Sequence, residues 1–339
     1  MSPDGPLAKP AAWRRPTLAF EMNVITRIIA TLRYPESTFG KTLHRVFPVL
    51  LLIVVILVGF SWFATYRTVM PERLVETIDP NSFLLRNFSS VQFPTRDRNT
   101  LEGWFIPSIR SAPVIFLCHG YKSNRAEVLT LASTFQENGY HLFLFDFRGH
   151  GNSPVRVSTL GIEETRDLLS AIDTITSRPE VDPNRVGVWG VSLGAYVALS
   201  AATLSNKIQT LVVDSPFESP DQFVEMQTAG ALGIDYWAFR KLSILGFRLF
   251  NLRDDPGEET LRNSLSKLNG KDKLFITSEE PNGLESPTLN LFNLSPQPKE
   301  LLRVRYSRTA ILYDIDRKSY ENSVLEFFKK YLPLRRQRP

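Results

Sequence analysis

The 339-residue chain predicts an α/β protein: a mostly parallel central sheet with helices on both faces, preceded by one transmembrane helix. Three observations predict it. An uncharged apolar run extends from Val46 to Tyr66, short apolar runs alternate with helical patterns from Phe88 onward, and one strand-to-helix junction reads Gly190-Val191-Ser192-Leu193-Gly194. Alternation of that kind is the pattern of parallel strands joined by crossover helices.

The segment 1–45 carries seven Lys or Arg against three acids. Within it Phe20, Val24, Ile25, Ile28, Ile29 and Leu32 recur at helical spacing with Arg27 and Arg33 among them. This fits either a helix lying on a membrane surface or an apolar disordered tail. The run 46–66 follows. As a helix it is about 31 Å long at ~1.5 Å per residue, close to the hydrocarbon thickness of a bilayer. Trp62, Phe63 and Tyr66 cluster at one end, as an interfacial aromatic belt does, and Arg45 and Arg67 bracket the run. A core helix is seldom apolar on every face for this length. The long lead and the lack of a small-x-small cleavage site argue against a removed signal peptide. Close to the helix, Arg27, Arg33, Lys41 and Arg45 outnumber Arg67, Arg73 and Arg86. That bias predicts a cytoplasmic N-terminus and an exported C-terminal domain.

After a linker, 67–87, the domain is expected over 88–332. Ser89–Pro94 and Leu101–Ile106 read as outer strands joined by a turn, and Pro113–Cys118 as a buried strand. A helix from about Asn124 to Asn138, a strand His141–Asp146 and a helix Ile162–Thr176 follow. Arg185–Gly190 is a strand, Ser192–Leu204 a helix and Gln209–Asp214 a strand. The stretch 215–271 is irregular and aromatic-rich, as an inserted cap would be. Strands resume at Lys273–Thr277 and Leu301–Tyr306, and an amphipathic helix covers about Lys318–Tyr331. The tail 333–339 is basic.

Net charge is +5, much of it at the chain ends, and no basic, aromatic-studded face of a nucleic-acid binder stands out. The single cysteine, Cys118, excludes an internal disulfide and a cysteine-based metal site. No cofactor or metal is expected; the expected partners are the membrane and an unidentified small molecule or peptide.

The Gly-x-Ser-x-Gly junction has a physical reason. A sharp turn between strand and helix forces the serine into a strained conformation that lifts its hydroxyl above the sheet edge, and the flanking glycines make room. The same serine sits at a helix N-terminus, where free N–H groups favour negative charge. His119-Gly120-Tyr121 follows the strand Pro113–Cys118, so the N–H groups of Tyr121 and Leu193 are candidates for holding an oxyanion.

Several motifs occur in order: Cys118-His119-Gly120-Tyr121 with Asn124-Arg125, Asp146 through Ser153 (DFRGHGNS), Gly161 with Glu164 and Asp167, and Trp189 through Gly194 (WGVSLG). Together they resemble the α/β-hydrolase superfamily near its serine-aminopeptidase-like and prolyl-oligopeptidase-related members. The resemblance covers about Phe88 to Leu332 and is specific as far as Asp214. It implies the α/β-hydrolase fold with an inserted cap, and a triad in the order Ser, acid, His. Ser192 takes the place of the nucleophile. The acid position follows Lys273–Thr277, where Glu280 is the nearest candidate and Glu279 the second; a solvated acidic turn fits as well. Asp214 is an alternative acid position. The histidine is missing. The four histidines are His44, His119, His141 and His150, all before Ser192. The matching position is Thr309 or its neighbour Arg308, and neither side chain serves as a neutral base at pH 7. Two readings follow: a serine hydrolase acting on an ester, amide or peptide with an unrecognised base, or a pseudohydrolase that binds without turnover.

Overall fold

A computed structural model describes residues 38–75, 80–83, 85, 87–232, 237–251, 261–279, 283–305 and 314–334. The segment around residues 20–32, read as either a surface helix or an apolar tail, lies outside these residues, as do Glu280 and Thr309. The chain divides into two compact units, 1–60 and 61–339.

The first helix, α1, spans Thr38–Val69. Its stretch His44–Val69 has a mean hydropathy of 2.8 and is long and apolar enough to cross a membrane. Up to Phe60 its large apolar side chains, among them Phe47, Leu50, Ile53 and Ile56, are exposed. From Ser61 the helix belongs to the second unit. There Ser61, Ala64, Thr65, Thr68 and Val69 are buried along one face, whereas Trp62, Phe63 and Tyr66 remain exposed on the other.

Eight strands form one sheet in the order β1-β2-β4-β3-β5-β6-β7-β8. They are β1 (Ser89–Pro94), β2 (Thr100–Ile106), β3 (Ala112–Cys118), β4 (His141–Phe145), β5 (Val181–Val191), β6 (Ile208–Asp214), β7 (Asp272–Ser278) and β8 (Lys299–Val304). β1 and β2 pair antiparallel, as do β2 and β4; every other pair is parallel. Successive side chains of a strand face opposite sides. Accordingly Val114 and Phe116 join one hydrophobic cluster, while Ile115 and Leu117 join the other. Helices α3 (Ile162–Thr176) and α4 (Leu193–Leu204) cover the first face. Helices α2 (Leu129–Glu137) and α9 (Asp314–Tyr331) cover the second. Strands buried on both faces read as unbroken apolar runs, which is why β3, β4 and β6 were predictable.

Between β6 and β7 the chain leaves the sheet for α5 (Pro220–Leu232), α6 (Trp237–Phe250) and the short α7 (Leu261–Ser264), in the stretch where an inserted cap was expected. Helix α8 (Glu285–Leu294), which the sequence reading did not contain, connects β7 to β8. β5 starts earlier than expected. Its first residue pairs with Ala112, and a register shift before Val186 absorbs the turn-like Asp182-Pro183-Asn184.

Candidate functional site

The site is built where the parallel strands end, the edge at which open α/β sheets place their ligands. β3 ends into His119-Gly120-Tyr121, β4 into the loop from Asp146 to Ser153, β5 into Ser192, and β6 on Asp214. Sequence-distant groups thus meet along one edge of the sheet.

Ser192 stands between β5 and α4 with φ 51° and ψ −110°. A non-glycine residue held there is under backbone strain. Its neighbours hold it. Its N–H donates to the Asp214 carbonyl at 2.9 Å, and its own carbonyl accepts from Ala195 and Tyr196 at 3.1 Å. The two glycines are needed for clearance: a Cβ on Gly190 would overlap the carbonyl of Gly194, and a Cβ on Gly194 would overlap the carbonyl of Cys118. The elbow is therefore packed directly against the end of β3. Ser192 is half-buried, and among the described residues its hydroxyl makes no hydrogen bond.

Opposite the elbow, the Gly120 N–H donates to the Glu127 carboxylate at 2.8 Å, which fixes the 119–121 turn. Among the described residues the N–H groups of Tyr121 and Leu193 donate no hydrogen bond. The Tyr121 side chain runs the other way. Its hydroxyl donates to the Thr68 carbonyl near the end of α1 at 2.9 Å, and burial pushes its pKa up. Around it lies a chain of rings: Tyr196 on Phe217 at 4.6 Å, Phe217 on Phe223 at 4.5 Å, Phe223 against Tyr121 at 4.9 Å and Tyr121 against His150 at 5.6 Å.

The loop after β4 is held by charge. Asp146 accepts the N–H groups of Arg125 at 2.8 Å and Asn152 at 2.9 Å. Gly151, at φ 46°, has no room for a Cβ against that carboxylate. Arg148 makes two 2.7 Å bonds to the buried Asp167 and a 3.0 Å bond to Asp97; burial opposes its charge, but these carboxylates outweigh it and raise its pKa. Glu164 caps α3 through Gly161 and also accepts from Ser158 and Thr159. The motif residues that carried the resemblance are thus mostly braces of the loops.

The histidines are braces too. His119 is fully buried; its Nε2 accepts from the Phe147 N–H at 3.0 Å, so its Nδ1 donates to the Gly120 carbonyl at 2.8 Å. Burial holds its pKa down against the pull of Asp146. His150 spends Nδ1 on the Arg148 carbonyl at 2.9 Å, and among the described residues its buried Nε2 has no hydrogen-bond partner. Burial, with repulsion from His119, lowers its pKa to about 4. His141 is bound through both ring nitrogens, to the Ser108 N–H and the Glu180 carbonyl.

Of the three acid candidates, Asp214 is fully buried at the end of β6. Its Oδ1 accepts from the Ser215 hydroxyl at 2.8 Å, and its Oδ2 accepts from the Tyr320 hydroxyl of α9 at 2.8 Å. Tyr320 was not singled out from sequence; it lies 106 residues from Asp214 and no local pattern marks it. Glu279 is exposed, its N–H donating to the Val304 carbonyl at 3.1 Å. Glu280 and Thr309 cannot be placed, being outside the described residues.

The family model of the serine aminopeptidases, S33, matches residues 110–276. The fold is that of an esterase of Pyrococcus furiosus, Pf2001, which superposes with a TM-score of 0.61 at 25% identity over 78% of this chain and 100% of that one. The fold and the matched family model are those of the α/β-hydrolase superfamily. Among curated relatives, a protein of Mycobacterium tuberculosis is 35% identical over 127 residues, 37% of this chain and 44% of its own length. YfhR of Escherichia coli is 32% identical over 137 residues, 38% of this chain and 48% of its own. The matched stretch spans less than half the length of these relatives. Within the superfamily this chain is of the serine-hydrolase-like kind, by its matched family and by its structural neighbours.

Proposed function

We propose that this chain is a membrane-anchored protein of the serine-hydrolase type that keeps the elbow and the oxyanion-binding turn but has weakened or lost turnover, so that its domain binds a carbonyl ligand more than it cleaves one. Ser192 occupies the place of the nucleophile. The free N–H groups of Tyr121 and Leu193 are positioned by the same turns that would hold an oxyanion in an active relative. Asp214 is the acid we favour, because it is buried beside the elbow and shares a backbone hydrogen bond with Ser192; Glu280 is the alternative. Thr309 marks the position from which the general base has been lost.

One observation carries this reading: no histidine follows Ser192 in the sequence, while His119 is held through both ring nitrogens and His150 is held through Nδ1 by the backbone of its own loop. A serine hydroxyl without a base keeps its proton. Removing the histidine of such a triad costs about 10⁶-fold in turnover, leaving roughly 10³–10⁴ over water from oxyanion binding and positioning. Helix α1 is read as the anchor, with the N-terminus cytoplasmic and the domain exported.

A fluorophosphonate probe tests the proposal. The expected result is slow labelling, lost in Ser192→Ala. Labelling at the rate of an active serine hydrolase would overturn it, with His150 Nε2 as the first group to examine as a base. Gain of esterase activity in Thr309→His would place the lost base at that position; no gain together with rapid wild-type labelling would refute the assignment.

A further inference from the structure

The end of α1 does not leave the domain as a free stalk. Ser61 and Ser243 hydroxyls meet at 2.9 Å, and the Thr65 hydroxyl lies 3.1 Å from the Ser243 carbonyl of α6. Gly246 is so close that a Cβ there would stand 3.0 Å from Thr65 Oγ1. Trp62 stacks on Phe250 at 4.6 Å. Small residues on both helices permit this approach and hydroxyls bind it, the pattern of helix pairs in lipid.

Beyond these contacts both helices keep apolar surface exposed, Trp62 included despite its stack on Phe250. Trp62 is 45% exposed, Phe63 58% and Tyr66 44%. On α6 Trp237 is 65% exposed, Leu245 53% and Leu249 48%. The α6 residues fall at helical spacing on one stripe, where Lys241 and Arg248 interrupt them, and both cations are paired, with Glu225 at 3.9 Å and Asp221 at 2.6 Å. An amphipathic helix whose outer stripe mixes Trp and Leu with neutralised cations is built for the headgroup layer. The aromatic residues beside it are of the type that marks a membrane boundary.

We infer that the outer stripe of α6 is a second membrane contact, seated in the interfacial layer of a lipid bilayer beside the aromatic end of α1. The occupant is lipid, and the argument is continuity: Phe250 of α6 and Trp62 of α1 are stacked, so the two exposed apolar surfaces adjoin. This rests on the reading of α1 as a membrane span. It goes beyond it by laying α5 and α6, and with them Phe223 beside Tyr121 of the site, along the bilayer surface. A ligand reaching Ser192 from that side is a membrane amphiphile.

The full chain, reconstituted in phosphatidylcholine nanodiscs and carrying single cysteines labelled with an environment-sensitive dye, tests this. The native Cys118 is buried and does not compete. Labels go at Val54 in the span, at Leu245 on α6 and at Asn322 on the exposed side of α9; Leu249 replaces Leu245 if Leu245→Cys fails to fold. The expected result is that nitroxide-bearing lipids quench the Val54 and Leu245 labels severalfold more than the Asn322 label. A Leu245 label quenched by aqueous iodide like that at Asn322, with Val54 still in lipid, overturns the inference and leaves the anchor standing. Protection of Leu245 from iodide without quenching by lipid means a protein covers the stripe, a second copy first of all, and also overturns it. A Val54 label in water removes the anchor and the inference together.

Discussion

The Tyr320 hydroxyl donates a 2.8 Å hydrogen bond to Oδ2 of Asp214, deep at the end of β6. A tyrosine from the last helix therefore occupies a carboxylate that lies one strand from Ser192. In an active relative that uses this acid position, a carboxylate there would orient an imidazole. Here, with the Ser215 hydroxyl on Oδ1, it is bound from both sides by hydroxyls. The bond ties α9 to the sheet at its functional edge.

The first prediction follows. Leaving a buried acceptor without its donor costs about 1–3 kcal/mol, so Tyr320→Phe should lower unfolding free energy by about 2 kcal/mol while leaving probe labelling of Ser192 unchanged. Denaturant unfolding of the detergent-solubilised chain and fluorophosphonate labelling measure the two. A loss of labelling larger than the loss of folded protein would show that Tyr320 serves the chemistry instead.

A second prediction concerns pH. His150 has its pKa lowered from 6.5 to about 4, by burial first and by His119 second; Asp146 and Glu164 pull the other way. A histidine depressed in the folded state binds its proton more readily when unfolded. Stability from this source is therefore full above pH 6.5 and falls as pH drops from 6.5 toward 4, the unfolded chain binding the extra proton. The span corresponds to roughly 3 kcal/mol. Between pH 7 and 4 the stability gap between wild type and His150→Phe should shrink by about that amount, measured by unfolding at each pH. A gap that stays constant with pH would mean that His150 does not titrate in this window.

What could be read from the chain and what could not divide by sequence separation. β3, β4 and β6 announce themselves as unbroken apolar runs because both faces are covered, and the elbow announces itself because two glycines and a serine are fixed by local clearance. The docking of α1 was invisible. A helix apolar on every face carries no sign of which face meets protein, and the sequence marked 67–87 as a linker although Arg73 donates to the Gly151 and Ser153 carbonyls and the Leu74 carbonyl accepts from Asn124. Tyr320 was invisible for a related reason: its partner lies 106 residues away at the end of β6, and a tyrosine in an amphipathic helix has an ordinary place in packing. His119 and His150 could be listed as histidines near the site, but their commitment to the backbone is a property of the loops in three dimensions.

A third prediction separates the glycines. At Gly190 an added methyl meets backbone, which cannot move aside, so Gly190→Ala should cost about 3 kcal/mol. At Gly230, within α5, an added methyl meets nothing within 4 Å. There alanine's higher helix propensity should raise stability by about 0.5–1 kcal/mol. Thermal melting of the two variants side by side checks the contrast. Equal effects would mean that the elbow relaxes around the methyl and that clearance is not what selects glycine.

The last prediction concerns the strain at Ser192. A non-glycine residue at φ 51°, ψ −110° bears a cost of about 1–3 kcal/mol. Ser192→Ala keeps the Cβ and hence the strain, so its stability should match wild type. Ser192→Gly relieves the strain but loses about 0.5–1 kcal/mol to the greater freedom of glycine in the unfolded chain. The difference predicts a net gain of about 1 kcal/mol for Ser192→Gly over both, read from unfolding in denaturant. The gain would be informative about history as well as energy. In an enzyme, strain at the nucleophile is held because the raised hydroxyl is used. If the domain lacks a base, as proposed above, the same strain brings no turnover; the elbow also closes the packing between Gly194 and the end of β3. If Ser192→Gly proves less stable than Ser192→Ala, the hydroxyl-bearing conformation is relaxed in this chain and the elbow is a packing turn.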